Sequence, residues 1–337
     1  MSPARAGCRT SRPPNPGSAT DVKTAAFLSP GGDFAAGVEL ARRADALGYD
    51  SVWVTHGLGR DSFLVLAAYA AAAPRVRVGV GVLPIYPRHP VTTAQAALTL
   101  SEQTGGRYIL GLGVSHKASM EQQLGLKLDD PLGVTREYVA VLRGAFGDGA
   151  RFEGRHYRVQ WSMALPGRLP APPIYLAGLS AKMLELAGEI ADGVVLWLCD
   201  PRYIKTVAVP ALERGRRRAG KALEGFEIVA AVPLAVTDEP AKARDAFRGE
   251  LARYLSLPFY RAMLEASGHG ASIKRFDAGQ PADDALVGAL GAIGDRATCR
   301  AYVDAYRAAG VTLPAIRPIT FPDAPWYRRT LEDAAGA

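Results

Sequence analysis

Hydrophobic positions along this chain fall into two alternating patterns. Short, nearly unbroken apolar runs occupy residues 22–28, 50–55, 76–83, 108–114, 174–177, 193–198, 226–236 and 313–319. They are apolar at consecutive positions, which marks strands covered on both faces, as in a parallel sheet. Between them, apolar residues return every three or four positions. In 33–46 these are Val38, Leu40, Ala41 and Ala44; in 90–103 they are Ala94, Ala97, Leu98 and Leu100. The first of these helices has Asp33 to cap its start and Gly48 just past its end. Asp61 or Ser62 caps an alanine-rich helix that runs to Ala73, and Gly105-Gly106 ends the helix over 90–103. Further helices are predicted over 134–146, 180–190, 202–219 and 296–309.

Two stretches break this alternation. Residues 115–170 are too long for an ordinary connection and contain Arg-Phe-Glu-Gly-Arg-His-Tyr-Arg-Val-Gln, an alternating segment predicted as a β-hairpin turning at Glu153-Gly154. A proline-rich linker follows at 166–173. Residues 241–290 form a second, mostly helical excursion. Eight strands, seven of them followed by helical segments, predict an α/β fold: a (β/α)8 TIM barrel with insertions at its C-terminal face. The barrel is expected to be one domain over 22–330. An open, doubly wound sheet is the alternative and would want a Gly-x-Gly-x-x-Gly fingerprint. The nearest match, Gly111-Leu112-Gly113-Val114-Ser115-His116, lacks the third glycine.

Composition narrows the function. The 337 residues are 48% hydrophobic and 22% charged, with a formal net charge of +7. The basic run Glu-Arg-Gly-Arg-Arg-Arg-Ala-Gly-Lys at 213–221 has no interleaved aromatics for base stacking, so it reads as a solvated helix end and not a nucleic-acid patch. Three scattered cysteines, Cys8, Cys199 and Cys299, fit a reducing compartment and offer no zinc spacing. No run is long enough to span a membrane. Residues 1–21, rich in Pro, Ser and Arg without an apolar core, are expected to be a disordered tail, and the expected location is cytoplasmic.

In parallel α/β proteins, ligands gather at the carboxyl ends of strands. His56 and His116 both stand there, and histidine suits proton transfer near neutrality. Either could equally be a hydrogen-bonded wall residue. His89, just before Pro90, is expected to serve helix entry, while nothing ties His156 or His269 to the mouth. The turn Ala177-Gly178-Leu179-Ser180 opens a helix. It offers either a phosphate cradle, to which Lys182 could add charge, or an ordinary N-cap. Trp197, at the end of a strand, is expected to wall a substrate pocket or to fill the barrel.

Several segments in this order resemble one family: Gly-Tyr-Asp-Ser-Val-Trp-Val at 48–54, Gly-Val-Leu-Pro-Ile-Tyr-Pro-Arg-His-Pro at 81–90 and Gly-Gly-Arg-Tyr-Ile-Leu-Gly-Leu-Gly at 105–113. Phe-Glu-Gly-Arg-His-Tyr at 152–157 and Leu-Ala-Gly-Glu-Ile-Ala-Asp-Gly-Val at 186–194 continue the set. Together they resemble the bacterial-luciferase-like superfamily, and within it the coenzyme F420-dependent, methylene-tetrahydromethanopterin reductase-like oxidoreductases. The resemblance implies a barrel whose mouth seats an isoalloxazine-like ring. It implies a strand-three bulge with a non-prolyl cis peptide, here Gly81–Val82, backing that ring. Cofactor contacts are then expected from Thr55, Gly81, Val82, Leu83, Val114, Ser115, Ala177, Gly178, Leu179 and Ser180. His56 matches a family position that touches cofactor or substrate, and Ser115 and His116 replace the acidic residue often found after strand four. The implied activity is hydride transfer between F420 and a small organic substrate, with no metal. The alternative is an FMN-dependent monooxygenase served by a separate flavin reductase. A homodimer is expected by analogy.

Overall fold

The computed structural model describes residues 23–30, 32–57, 59–164 and 168–337. The tail expected over 1–21, and Pro166-Gly167 of the proline-rich linker, lie outside the described residues. Among the described residues, eleven strands are present: β1 (Ala25–Leu28), β2 (Ser51–Val54), β3 (Arg77–Pro84), β4 (Tyr108–Gly113), β5 (Ala150–Glu153), β6 (Arg158–Trp161), β7 (Ile174–Ala177), β8 (Gly193–Leu196), β9 (Glu227–Val236), β10 (Ala292–Gly294) and β11 (Leu313–Pro318). Neighbours pair in parallel in the order β1-β2-β3-β4-β7-β8-β9-β11, and β11 returns to β1. The sheet is therefore a closed eight-stranded cylinder surrounded by helices, the (β/α)8 barrel the apolar runs predict. β5 and β6 form the separate antiparallel hairpin of the first insertion. The three-residue β10 extends the far end of β9 and was not anticipated, because three residues carry no readable period. The terminal helix Tyr327–Asp333 was likewise unforeseen; it packs on the outside of the barrel against β9 and β11, and its Leu331 carbonyl accepts from the Tyr49 hydroxyl at 2.7 Å.

Strand residues split cleanly by parity. Ala26, Leu28, Val52, Val54, Val78, Val80 and Leu110 face the helices. Ala25, Phe27, Trp53, Ile109, Tyr175, Val195, Val229, Ala231, Leu313 and Ala315 fill the cylinder. The aromatic rings fit inside because glycines stand opposite them. A Cβ on Gly79 would lie 2.6 Å from the Trp53 ring, and one on Gly81 would lie 2.6 Å from Phe27. Gly193 makes the same room for Tyr175. The lower end is closed by polar contacts: Arg77 pairs with Asp50 and, at 3.0 Å, with Glu227, which also accepts from the Tyr175 hydroxyl at 2.8 Å. The basic run at 213–221 belongs to the helix Val209–Arg218, where Arg214 and Arg218 each reach Glu185 at 2.8 Å on the neighbouring helix. Among the described residues, no helix is long and apolar enough to cross a membrane, and no cluster of three His, Cys, Asp or Glu could hold a metal ion.

Candidate active site

Near the mouth the register of β3 against β4 slips between Val80 and Leu83, and the Gly81–Val82 peptide is cis. The bulge breaks the alternation of side chains along the strand. Gly81 faces Phe27 and Trp53, Val82 packs against the interior cluster, and Leu83 returns to the helix side, where it is fully buried. The Leu83 side chain therefore belongs to the helix–sheet layer and lines none of the mouth cavities described below. On β4, Gly113 faces the same bulge: a Cβ there would meet Val82 Cγ2 at 2.6 Å and Ala177 Cβ at 3.5 Å.

These residues enclose a cavity of about 260 Å3, walled by Val82, Gly113, Val114, Ser115, Ala177 and Gly178, with Leu179, Ser180, Lys182 and His116 on its rim. Together with Pro131, Leu132 and Met183 they make a mostly apolar slot. Ser180 caps the helix Ala181–Ile190, its hydroxyl accepting from the Met183 amide at 3.3 Å. Gly178 leaves little spare room, since a Cβ would sit 3.1 Å from Met183. The turn is thus an N-cap, and the helix start it caps faces the cavity.

A second cavity, about 490 Å3, lies on the other side of His116, bounded by Phe27, Thr55, Trp197 and Arg317 and by residues 246–257 of the second insertion. A third, about 430 Å3, holds His56 with Pro84, Arg88, Ser115 and Met120. His116 is the shared wall of the first two and Ser115 of the first and third. The two candidate histidines therefore do not meet in one chamber. Each cavity carries one exposed apolar side chain at its lip: Leu124 at 44%, Phe259 at 52% and Phe321 at 56% exposure. Among the described residues, three of the four non-glycine residues with positive φ follow strand ends here, Ser115 at 62°, Leu198 at 50° and Thr320 at 70°. Such backbone persists where the surroundings over-determine it, and it clusters at working sites.

His56 is anchored. The Ser62 amide donates to its Nδ1 at 3.2 Å, with the Ser62 hydroxyl 2.9 Å from the same atom, so the ring proton of the neutral form sits on Nε2. Burial, opposed by Asp61 and aided by Arg88, holds its pKa below the ordinary 6.5. His116 stacks obliquely on Tyr260, ring centroids 5.8 Å apart, and burial alone lowers its pKa. Both are neutral imidazoles at neutral pH. His89 caps its helix through Nδ1, accepting from the Val91 amide at 3.3 Å. His156 and His269 instead grip aspartates that cap helices: His156 lies 2.8 Å from Asp130, and His269 lies 3.0 Å from Asp200.

The sequence reading missed Arg317 and Glu250. Arg317 continues the inward series Leu313, Ala315 of β11 at the mouth, and an arginine in an otherwise apolar buried strand was the available signal. Glu250 sits on the helix Pro240–Leu255 of the insertion, on the face that Ala243, Phe247, Leu251 and Leu255 bury; a carboxylate within that apolar period was the available signal.

Comparison with known proteins fits this geometry. The family profile described as luciferase-like monooxygenase matches residues 15–313. Protein Rv1360 of Mycobacterium tuberculosis is 32% identical over 285 residues, covering 76% of this chain and 84% of that one. The 5,10-methylenetetrahydromethanopterin reductase of Methanolobus tindarius is 33% identical over 215 residues, 61% of this chain and 63% of the relative. Among solved structures, the coenzyme F420-dependent tetrahydromethanopterin reductase of Methanopyrus kandleri superposes with a TM-score of 0.80 at 23% identity, covering 94% of this chain and 98% of that one. With the barrel, the bulged third strand and the profile match in agreement, this chain belongs to the luciferase-like monooxygenase family and is an oxidoreductase.

Proposed function

We propose that the protein transfers a hydride between coenzyme F420 and a small organic substrate. The observation that carries this reading is the mostly apolar slot beside the β3 bulge, which shares His116 with a larger chamber suited to a second molecule. The slot suits a planar tricyclic ring: with glycine at 113, Val82 of the bulge packs directly against the end of β4 and backs the slot, and a helix start with Ser180 and Lys182 stands at its edge for a phosphate. The F420-dependent reductase of like fold supports the choice of deazaflavin.

Val82, Gly113, Val114, Ala177 and Gly178 would hold the ring, and Leu179, Ser180 and Lys182 its phosphate side. When bound, the deazaflavin supplies or accepts the hydride. The chain's own residues position the substrate, exclude water and handle the proton. His116, neutral and at the junction of slot and chamber, accepts a proton from a substrate hydroxyl as that carbon is oxidised, or returns it in the reverse direction. Thr55 and Trp197 line the chamber on the substrate side. His56, fixed by Ser62 in its own cavity, keeps the rim beside Ser115 in place.

Titrating the purified protein with F420 and with FMN, each followed by its own fluorescence, tests the reading. Saturable F420 binding at least tenfold tighter than FMN is expected. A preference for FMN would move the chain to the flavin-dependent monooxygenases and require a separate reductase.

A further inference from the structure

The larger chamber contains a charge arrangement that a mere wall does not require. Arg317 Nη1 pairs with Glu250 Oε1 at 2.8 Å, and both side chains are about nine-tenths buried, 9% and 10% exposed. Their remaining polar atoms, Arg317 Nε and Nη2 and Glu250 Oε2, have no hydrogen-bond partner. Buried polar groups are normally satisfied, and a purely structural ion pair is at its best when fully networked. Nε and Nη2 are the two donors on one edge of the guanidinium, the pair that grips both oxygens of a carboxylate. Here that edge is the part left without a partner.

The neighbours suggest what fills it. The guanidinium carbon lies 5.3 Å from the ring centre of Trp197 and 5.9 Å from that of Phe247. Phe247 is fully buried, while Trp197 is half-buried and faces the cavity, so Trp197 is the side of this cover that yields to an occupant. The rest of the lining is largely apolar, with Phe27, Leu28, Leu257 and Phe321. Its charged members are Arg317, Arg253 and Glu250; beside a neutral His116 they leave one net positive charge.

We propose that the chamber selects an organic monocarboxylate, its carboxylate held by the Nε/Nη2 edge of Arg317 and its apolar body lying along Trp197. Glu250 aims the guanidinium and offers Oε2 to a donor on the same substrate. The reacting carbon then lies toward His116 and the slot. This deepens the proposed function and rests on the slot being the redox side, but the anchor can be tested without any redox cofactor.

Calorimetry of the cofactor-free protein with benzoate, benzamide and inorganic phosphate supplies the test. Benzoate is expected to bind saturably at millimolar concentration or below, at least tenfold tighter than benzamide, with a change in intrinsic tryptophan fluorescence from Trp197. Arg317→Lys keeps the charge for Glu250 and loses the edge, so it should weaken benzoate at least tenfold while circular dichroism stays unchanged. If that variant fails to fold, the benzoate–benzamide comparison on the native protein still decides. Equal binding of the two, no benzoate binding, or full benzoate affinity in a folded Arg317→Lys protein would overturn the proposal. Phosphate binding tighter than benzoate would also overturn it and assign the edge to a phosphate group. Because F420 is absent throughout, failure here leaves the cofactor titration standing, and failure of that titration leaves this result standing.

Discussion

The slot and the chamber lie on two sides of one histidine and are built from different material. The slot is built mainly by the barrel, from the bulge of β3, the end of β4 and the turn after β7, with Pro131, Leu132 and Phe259 of the two insertions at its edge. Its barrel side is backbone, glycine, alanine and valine. The chamber is closed half by the barrel, through Phe27, Trp197 and Arg317, and half by the helix Pro240–Leu255 of an insertion. Its walls are large aromatic and charged side chains. The scaffold that fixes strand ends also fixes most of the slot, whereas the chamber depends on how an added helix docks. On the proposed reading, chemistry and specificity are then carried by separate parts of the chain.

The largest effect should come from filling the slot. In Gly113→Val the new side chain would run into Val82 and Ala177 from a Cβ already 2.6 Å and 3.5 Å from them. Overpacking of this kind costs about 1–3 kcal/mol, and by displacing Val82 and Ala177, which wall the slot, it should weaken F420 binding by about a hundredfold. Benzoate binding in the chamber should stay near the native value, measured on the same sample. Loss of both together would show that slot and chamber are one cavity and dissolve the comparison.

Next in size is the wall between them. His116→Asn keeps a polar, planar side chain and removes the group that accepts a proton. Turnover should fall by about a hundredfold, with F420 affinity preserved. The native pH profile sharpens this: burial lowers the His116 pKa below 6.5, so activity in the oxidative direction holds at neutrality and falls only as pH drops below 6.5 toward that lowered value. The unfolded chain takes up this proton first, so the His116 contribution to stability is present above pH 6.5 and is lost as pH falls through the same window. Unchanged turnover in His116→Asn would return His116 to the role of a wall.

The same contrast explains what could be read in advance. Eight strands were legible because runs such as Tyr108–Val114 are apolar at consecutive positions, as a strand covered on both faces requires. The slot was legible because it follows from strand ends: Val82, Val114, Ser115, Ala177, Gly178, Leu179 and Ser180 all line it. Thr55 and Trp197 instead line the chamber, and Leu83 turned away because the bulge shifts parity by one residue, which no alternation count reveals. The chamber's charged pair was illegible for a deeper reason. Arg317 acquires its meaning only when Glu250 is laid against it, and that contact is set by the docking of an irregular insertion, not by any local pattern.

The smallest expected effect concerns that docking. Asp200 follows β8, caps a helical turn by accepting from the Tyr203 amide at 2.7 Å, and receives His269 of the insertion at 3.0 Å, with its side chain 4% exposed. Burial alone would raise its pKa; the hydrogen bonds from His269 and the Tyr203 amide outweigh that and hold it below 3.8. A depressed carboxyl contributes stability that is present above about pH 3.8, the ordinary value for Asp, and is lost as pH falls through its lowered folded value. Asp200→Asn retains the acceptor for Tyr203 but removes the charge that holds His269, a loss of about 1 kcal/mol. Hydrogen exchange should quicken in the helices Pro258–Ala266 and Gly270–Asp277, and benzoate binding should weaken slightly, while exchange at Gly113 and Gly178 on the barrel side of the slot stays unchanged. Faster exchange at Gly113 or Gly178 as well would mean that the insertion supports the slot too, and the division between a fixed seat and an adjustable chamber would no longer hold.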